Sequence, residues 1–193
     1  KKYEWVKLPS GGQCYPIDSP LRKGKIKIGY LTVSDENILI GGNEVNDTII
    51  KRKVLNKKID TSTIINGDRD AILLWLRRTG YGEKFNVTIK DNDKEYDTII
   101  KLSNIKNNTF LLNGDKDGHF MFFMKNNDIL RFKYLTKDEI SFIKKESNND
   151  DESYVDFLKK FAKFITVMIN NNKDDEYIST YINNMPTNDL LIS

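Results

Sequence analysis

The chain has 193 residues, 38% of them hydrophobic and 31% charged, a balance typical of a globular protein with one sizeable core or two small ones. Its 31 basic and 28 acidic residues leave a net charge of +3, which is too balanced for a protein that binds nucleic acid through a basic face. The single cysteine, Cys14, excludes an internal disulfide and a cysteine-rich metal site, and no apolar stretch approaches the roughly 20 residues of a membrane span.

Residues 1–24 contain three of the four prolines and predict an extended arm rather than a packed element. Two interpretations of this arm stay open: it lies along its own domain, or it clasps a neighbouring protein. The apolar side chains that would make either contact are those of Trp5, Val6, Leu8 and Tyr15.

The next segment predicts one strand and two helices. Alternating apolar residues indicate a half-buried strand over Lys25–Thr32. Thr32 and Asp35 approximate a capping box, so we expect a short helix to about Ile40 that ends at Gly41-Gly42. A second helix is expected from Asn46 or Asp47 to about Lys58.

Within residues 64–82 the pattern predicts a helix from about Arg69 to Thr79, whose middle, residues 71–76, has no polar side. Asp68 is the expected N-cap, and Gly80 is the expected left-handed residue that ends the helix. A helix that is apolar all round must be buried on every side, in its own core or against a partner. Trp75, on this helix, is accordingly a candidate interface residue with a core role as the alternative.

The period then changes from helical to two residues. Phe85, Val87 and Ile89 alternate with polar residues, and a turn at Asp91-Asn92-Asp93 leads into a returning strand over Tyr96–Leu102. Three more strands are expected, over Thr109–Leu112, His119–Met124 and Ile129–Tyr134. The strand at 119–124 is apolar on both faces, so it is predicted to be central and covered on either side.

The C-terminal part returns to helix. Thr136 and Glu139 form a capping box for a helix to about Glu146. An amphipathic helix over Ser153–Asn170 has an apolar face wide enough to pack on its own domain and on another chain. Its candidate interface residues are Phe157, Phe161, Phe164 and Met168. A short helix over Asp175–Tyr181 follows, and Pro186 can open another.

These elements predict an α+β fold. An N-terminal arm and helices precede a central antiparallel region of β-hairpins and meander, and the C-terminal region is helical. The predicted division is an extended arm at 1–24, an α+β core domain at 25–146, and a helical segment at 147–193 that we expect to continue beyond Ser193.

No pattern predicts a catalytic, cofactor-binding or metal-binding residue. The loop Asn113–Gly118 resembles half of a calcium-binding loop, but Met124 stands where the bidentate glutamate is needed, so a hairpin turn is expected. The only histidine, His119, has no nucleophile nearby in sequence, and no glycine-rich phosphate loop exists. We therefore expect no cofactor, no small-molecule substrate and no enzymatic activity.

Three stretches, taken in order, resemble one family. They are Val6-Lys7-Leu8-Pro9-Ser10-Gly11-Gly12 with Tyr15-Pro16, the motif Gly67-Asp68-Arg69 with the exit Tyr81-Gly82, and Ile182-Asn183-Asn184-Met185-Pro186-Thr187-Asn188-Asp189. Together they are similar to the baseplate hub assembly subunits of large contractile-tailed phages. Members of that family often carry two cysteine pairs after the Tyr-Gly exit; this chain has Asp91-Asn92-Asp93 there, which implies an ordinary hairpin turn instead of a metal.

The resemblance implies a structural protein of the virion, located in the tail or baseplate and assembled in the cytoplasm of the host bacterium. It implies partners as well, namely other tail and baseplate proteins in a multi-copy hetero-assembly in which this chain is an adaptor. It carries over no catalytic residue, and it implies that Asp68 and Arg69 cap and orient their helix. Two alternatives stay open: a tail-assembly chaperone absent from the mature virion, and a soluble enzyme or ligand-binding domain with a carboxylate pocket.

Overall fold

The computed structural model describes residues 2–35, 45–91, 94–106, 108, 110–147 and 153–186. The chain divides into two compact units. Unit 1 comprises residues 1–12, 20–61 and 67–111, and unit 2 comprises residues 13–19, 62–66 and 112–193. Helices and antiparallel strands occur in both, so the predicted α+β class is confirmed. The division into segments 1–24, 25–146 and 147–193 stays a prediction.

Unit 1 begins with a two-stranded antiparallel sheet. Strand β1 (Tyr3–Lys7) pairs with β2 (Lys25–Gly29), so the first residues of the predicted arm are a strand. The alternation that predicts β2 places Ile26 and Ile28 in the core, where both are fully buried. The backbone N–H of Leu8 donates to the carbonyl of Gly24 at 2.9 Å, which continues the contact past the strand ends.

Two longer helices follow in the described part of unit 1. Helix α1 is Val45–Lys53 and helix α2 is Asn66–Tyr81. The predicted helix after Thr32 is present at residues 33–35, and the hydroxyl of Thr32 donates to the Asp35 carboxylate at 2.7 Å. Its expected continuation to Ile40 and its end at Gly41-Gly42 lie outside the described residues.

A β-hairpin follows α2 in unit 1. Strands β3 (Lys84–Asp91) and β4 (Lys94–Lys101) pair antiparallel, with Lys84 opposite Lys101 and Asp91 opposite Lys94. A short 3-10 turn, Leu102–Asn104, follows. The predicted hairpin is therefore confirmed, whereas residues 92 and 93 of its tip lie outside the described residues.

Unit 2 is built on a three-stranded antiparallel sheet of order β5-β6-β7, with β5 at Phe120–Phe123, β6 at Ile129–Phe132 and β7 at Thr166–Ile169. The prediction that residues 119–124 form a central strand is wrong, because β5 lies at an edge and β6 takes the centre. The described residues 110–112 are not in a strand either, contrary to the prediction for Thr109–Leu112.

The described part of unit 2 also contains three helices. They are α3 (Lys137–Glu146), which has the predicted Thr136–Glu139 capping box, α4 (Tyr154–Ile165), and α5 (Asp175–Asn183), which Asp174 caps. The prediction of one helix to Asn170 is wrong, because the chain leaves the helix at Thr166 and pairs with β6 as β7. Pairing with β6 places Ile169 in the core of the unit, with Met124, Leu130, Ile178 and Ile182. A helix opened by Pro186 would lie outside the described residues.

Candidate interaction surfaces

Two of the singled-out sequence motifs meet at a buried hydrogen-bonded pair. The carboxylate of Asp68, which is fully buried, accepts from the backbone N–H of Ser10 at 2.9 Å and from the Ser10 hydroxyl at 2.6 Å. Helix α2 begins at Asn66, two residues earlier than Asp68, so the prediction that Asp68 is the N-cap is wrong. Its carboxylate ties the N-terminal segment to the first turn of α2, where the helix dipole favours a negative charge.

Arg69 connects α2 to α1 in unit 1. Its guanidinium donates to the Asp47 carboxylate of α1, from Nε at 3.1 Å and from Nη2 at 2.6 Å. The Arg69 side chain is almost completely buried, whereas that of Asp47 is half exposed. The neighbouring motif residues Asp68 and Arg69 therefore hold α2 against two different segments of unit 1.

Gly80 has a different role from the predicted one. Helix α2 continues to Tyr81, and the residue with a left-handed backbone is Gly82, at φ = 85°. The N–H of Gly82 donates to the carbonyl of Arg78 at 3.0 Å, as in a helix C-terminus. A Cβ at Gly80 would lie 2.7 Å from Cδ1 of Leu31, so Gly80 permits a close side-chain approach.

The candidate residues of the N-terminal segment divide into two groups. Val6, Leu8 and Tyr15 are buried, and the Tyr15 hydroxyl accepts from the backbone N–H of Ile65 at 3.2 Å. Trp5 is 54% exposed, with the Lys25 ammonium 5.3 Å from its ring centroid. Val6, Leu8 and Tyr15 are thus buried by residues of this chain. That this segment contacts a neighbour stays a prediction.

Helix α2 is not buried on every side by this chain. Of the apolar run at residues 71–76, Ile72 and Leu76 are buried and the other four residues are partly exposed. One of these is Trp75, whose ring lies 5.3 Å from that of Tyr30. The part of the helix surface that remains exposed is apolar. The chain therefore buries this helix only in part, and burial of the rest against a partner stays a prediction.

The β3–β4 hairpin carries an apolar face that is open to solvent. Because side chains alternate across a strand, Phe85, Val87 and Ile89 share one face with the residues opposite them, Ile100, Thr98 and Tyr96. Among these, Phe85, Ile89, Tyr96 and Ile100 are all exposed large hydrophobic residues. The other face is mainly polar and includes the Thr88–Asp97 hydrogen bond and the Lys90–Glu95 ion pair. We call the first the hairpin face.

The sheet of unit 2 carries a second exposed apolar face, which the sequence analysis missed. Met121 and Phe123 of β5 are 64% and 67% exposed, and the residue opposite Phe123 is the exposed Ile129. Met168, predicted on a helix, lies on β7 opposite Arg131, in the same cross-strand row as Met121. We call this surface the sheet face; the signal that could have found it is the alternation of Met121 and Phe123 with the better buried Phe120 and Phe122.

The three predicted phenylalanines of α4 are partly exposed. Phe157 and Phe161 stack one turn apart with centroids 6.4 Å apart, and Phe164 lies 5.6 Å from Phe142 of α3. None of the side chains of α4 is fully buried. The role of these phenylalanines and of Met168 in an interface stays a prediction.

Among the described residues, Asp115, Asp117 and His119 of unit 2 have ligand atoms close enough together for a metal ion. Arg131 already pairs with both carboxylates, at 2.5 Å from Asp115 and 2.7 Å from Asp117. Burial alone raises the pKa of Asp115, but hydrogen bonds from the backbone N–H groups of His119 and Asp117, together with Arg131, hold it below its ordinary value. The cluster forms an ion-paired turn. The expectation of a hairpin turn is wrong, because the described residues 110–112 before it are not in a strand.

Exposed apolar faces on both units are typical of a protein that binds other proteins. The comparison with protein families agrees, because the model of the T4 bacteriophage base plate protein matches residues 1–191. The chain belongs to this family and is a structural protein of the phage virion, a component of the tail baseplate. The resemblance drawn from the sequence motifs is thereby confirmed. Searches of curated proteins and of solved structures found no significant match.

Membership of this family places the chain among proteins that interact with other tail and baseplate proteins. Within the described part of the chain, no helix has both the length and the apolar character needed to span a membrane.

Proposed function

We propose that this chain is an adaptor that joins neighbouring baseplate proteins, through one apolar face on each of its two units. The observation that carries the proposal is that each unit has its own exposed apolar sheet face: the hairpin face in unit 1 and the sheet face in unit 2. An adaptor needs at least two binding surfaces, and this arrangement provides them on separate units.

The hairpin face is the better supported of the two surfaces. An isolated two-stranded hairpin is at best marginally stable in water, and three or more strands or a covering element are usually needed. Burying its large side chains against a partner would supply this cover, because each buried aliphatic or aromatic side chain contributes roughly 1.5–3 kcal/mol. A neighbouring protein that packs on Phe85, Ile89, Tyr96 and Ile100 would therefore stabilise the hairpin and bind the chain at once.

The role we propose is binding rather than catalysis. The polar groups clustered at the turn of residues 115–119 in unit 2 include Asp115, Asp117 and Arg131, and these three neutralise one another in part. Multi-copy assembly with other tail proteins, after synthesis in the host cytoplasm, is part of the same proposal.

The hairpin offers a matched pair of substitutions for the test. Ile89 is on the hairpin face and is 49% exposed, and Ile99 is on the opposite face of the same hairpin and is 57% exposed. We expect Ile89→Asp to lower the amount of this chain in purified tails about tenfold, because a buried unpaired carboxylate is costly. Ile99→Asp should leave that amount unchanged. The measurement is quantitative mass spectrometry of particles from complemented infections.

The sheet face is tested in the same way with Phe123→Asp. Its control is Ile17→Asp, in unit 2 but away from the strands, since Phe123 and Ile17 are 67% and 70% exposed. We expect loss from the tail with the first substitution and not with the second. Equal incorporation of all four variants would refute the adaptor, and absence of the wild-type chain from tails would instead favour the assembly chaperone.

A further inference from the structure

The β3–β4 hairpin has open edges as well as an open face. It is a sheet of two strands, and no other described strand pairs with either of them. All eight residues of β4 are exposed to solvent. An open strand edge presents a row of unpaired backbone N–H and C=O groups, and proteins usually protect such an edge or pair it with another strand.

A backbone hydrogen bond identifies which residues of β4 face outward. The N–H of Leu102 donates to the carbonyl of Glu83 at 2.7 Å, just beyond the open end of the hairpin. Hydrogen-bonded and non-hydrogen-bonded pairs alternate along an antiparallel ladder, so the pairs 85/100, 87/98 and 89/96 are the hydrogen-bonded ones. The odd-numbered residues of β4 therefore direct their backbone groups away from β3, and these residues are Glu95, Asp97, Ile99 and Lys101.

This edge is complementary to the same edge of a second copy of the chain. If two β4 strands pair antiparallel about a two-fold axis at Thr98, Glu95 of each copy lies opposite Lys101 of the other. On the hairpin face, Tyr96 of each copy then lies opposite Ile100 of the other. Opposite-charge pairs and pairs of an aromatic with a β-branched residue both stabilise antiparallel sheets. This register also pairs all the outward-pointing residues of β4.

The charges at the open end of the hairpin favour the same pairing. Lys84 and Lys101 lie directly opposite each other, where like charges repel. Glu95 of a second copy, placed beside Lys101, would offset this repulsion. Glu95 already forms an ion pair with Lys90 at 2.7 Å, but both side chains are more than half exposed. Its carboxylate is therefore accessible to a second lysine.

The outer edge of β3 does not offer the same match. By the same alternation, its outward-pointing residues are Lys84, Asn86, Thr88 and Lys90. If two β3 strands paired over this length, Lys84 of each copy would lie opposite Lys90 of the other. Lysines at a strand edge are a common protection against such pairing. Of the two edges, β4 is therefore the one that accepts a second copy.

We propose that two copies of this chain pair through their β4 strands, with Thr98 at the two-fold axis, and form one four-stranded sheet from two hairpins. A hairpin of two strands is marginally stable in water, and additional strands relieve that limit. A two-fold pairing uses the same surface of both copies, as in most homodimers. The pairing uses the edge of the hairpin and leaves the hairpin face open, so it does not depend on the adaptor function.

Disulfide trapping tests the register. In a Cys14→Ser background, Thr98→Cys would place two cysteines in a non-hydrogen-bonded pair with Cα atoms about 4.5 Å apart, within the range of a disulfide. Val87→Cys is the matched control, because Val87 lies opposite Thr98 on the same face but one strand farther from the axis. Under mild oxidation of the purified full chain, we expect at least about tenfold more linked dimer with Thr98→Cys than with Val87→Cys. Equal linking of the two variants, or no linking by Thr98→Cys, would overturn the proposal.

A charge exchange provides the second measurement. Lys101→Glu and Glu95→Lys, each alone, would place like charges opposite each other at both ends of the paired strands. We expect each to raise the dimer dissociation constant about tenfold, since two attractive pairs become repulsive. An equimolar mixture of the two variants should recover the dimer, because opposite charges then face each other at both ends.

Sedimentation equilibrium of the purified full chain measures these dissociation constants. Recovery in the mixture shows that the single variants are folded. A monomeric wild-type chain, unchanged association of Lys101→Glu, or a mixture that stays monomeric would contradict the proposal. Because no other tail protein is present, this result is independent of whether the adaptor function holds.

Discussion

At the scale of single residues, the buried pair Ser10–Asp68 explains why two distant sequence motifs occur together. Asp68 accepts both polar hydrogens of Ser10, so each residue satisfies the other inside unit 1. An aspartate just before a helical pattern suggests an N-cap, since aspartate is one of the residues strongly preferred there. The contact 58 residues away in sequence could not be inferred from local spacing.

Removing this carboxylate should destabilise unit 1. We expect Asp68→Ala to lower the free energy of unfolding by about 2–3 kcal/mol, because the Ser10 N–H is left buried without its acceptor. Asp70→Ala, two residues along and mostly exposed, should cost less than about 1 kcal/mol. Chemical denaturation of the purified chain measures both. Equal effects of the two substitutions would show that the pair contributes nothing specific.

Acid should weaken unit 2 through Asp115. Its folded-state pKa lies below the ordinary 3.8, so the folded state binds its proton less readily than the unfolded state does. This contribution to stability is complete above about pH 5 and is lost as the pH falls further, through the unfolded-state and then the folded-state pKa. Asp128, whose pKa is lowered mainly by the hydroxyl of Tyr181, acts in the same direction.

The measurement is the free energy of unfolding between pH 3 and pH 6. We expect it to be flat above about pH 5 and to fall below pH 4. Arg131→Met should make the fall shallower, since it removes one cause of the lowered pKa of Asp115. A stability that rises on acidification would contradict the assignment.

At the scale of elements, the sequence predicted best where local chemistry decides the structure. The capping box of α3 and the alternation that makes the β3–β4 hairpin are both local signals, and both elements form as expected. Strand β7 is the opposite case, because Thr166–Ile169 continues a helical pattern. Its β-branched residues fit either structure, and pairing with β6 decides in favour of a strand.

The position of β5 in the sheet is a second feature that the local sequence pattern does not determine. An apolar run such as 119–124 is typical of a central strand when sheets are covered on both sides. In unit 2 the centre is taken by β6, because β7 arrives from a distant part of the sequence. The exposed side chains of Met121 and Phe123 are therefore a consequence of topology, which residue types alone do not determine.

The end of α2 offers a test at this scale. Gly82 has φ = 85°, which disfavours any residue with a Cβ, whereas Gly67 lies in the first turn with open space around its Cα. We expect Gly82→Ala to lower stability by about 1 kcal/mol and Gly67→Ala to leave it equal or slightly higher. Thermal unfolding of the two variants measures the difference, and a reversed order would contradict the assignment of the helix end.

At the scale of the whole molecule, two compact units each present an apolar face of their own. The class of fold and the baseplate family could be predicted from the sequence, because pattern and motif order carry both. Of the candidate interface residues, Val6, Leu8 and Tyr15 are buried in this chain, while Trp5 stays exposed. An apolar residue type indicates that a side chain is buried, but it does not show whether its own chain or a partner buries it. The folded structure is needed to separate these two cases.

Cryo-electron microscopy of intact tails tests the central claim most directly. The adaptor account predicts density for this chain in the baseplate, with Phe85, Ile89, Tyr96 and Ile100 packed against one neighbouring protein and Met121 and Phe123 against another. A tail that lacks the chain, or one that contains it with both faces open to solvent, would contradict the account.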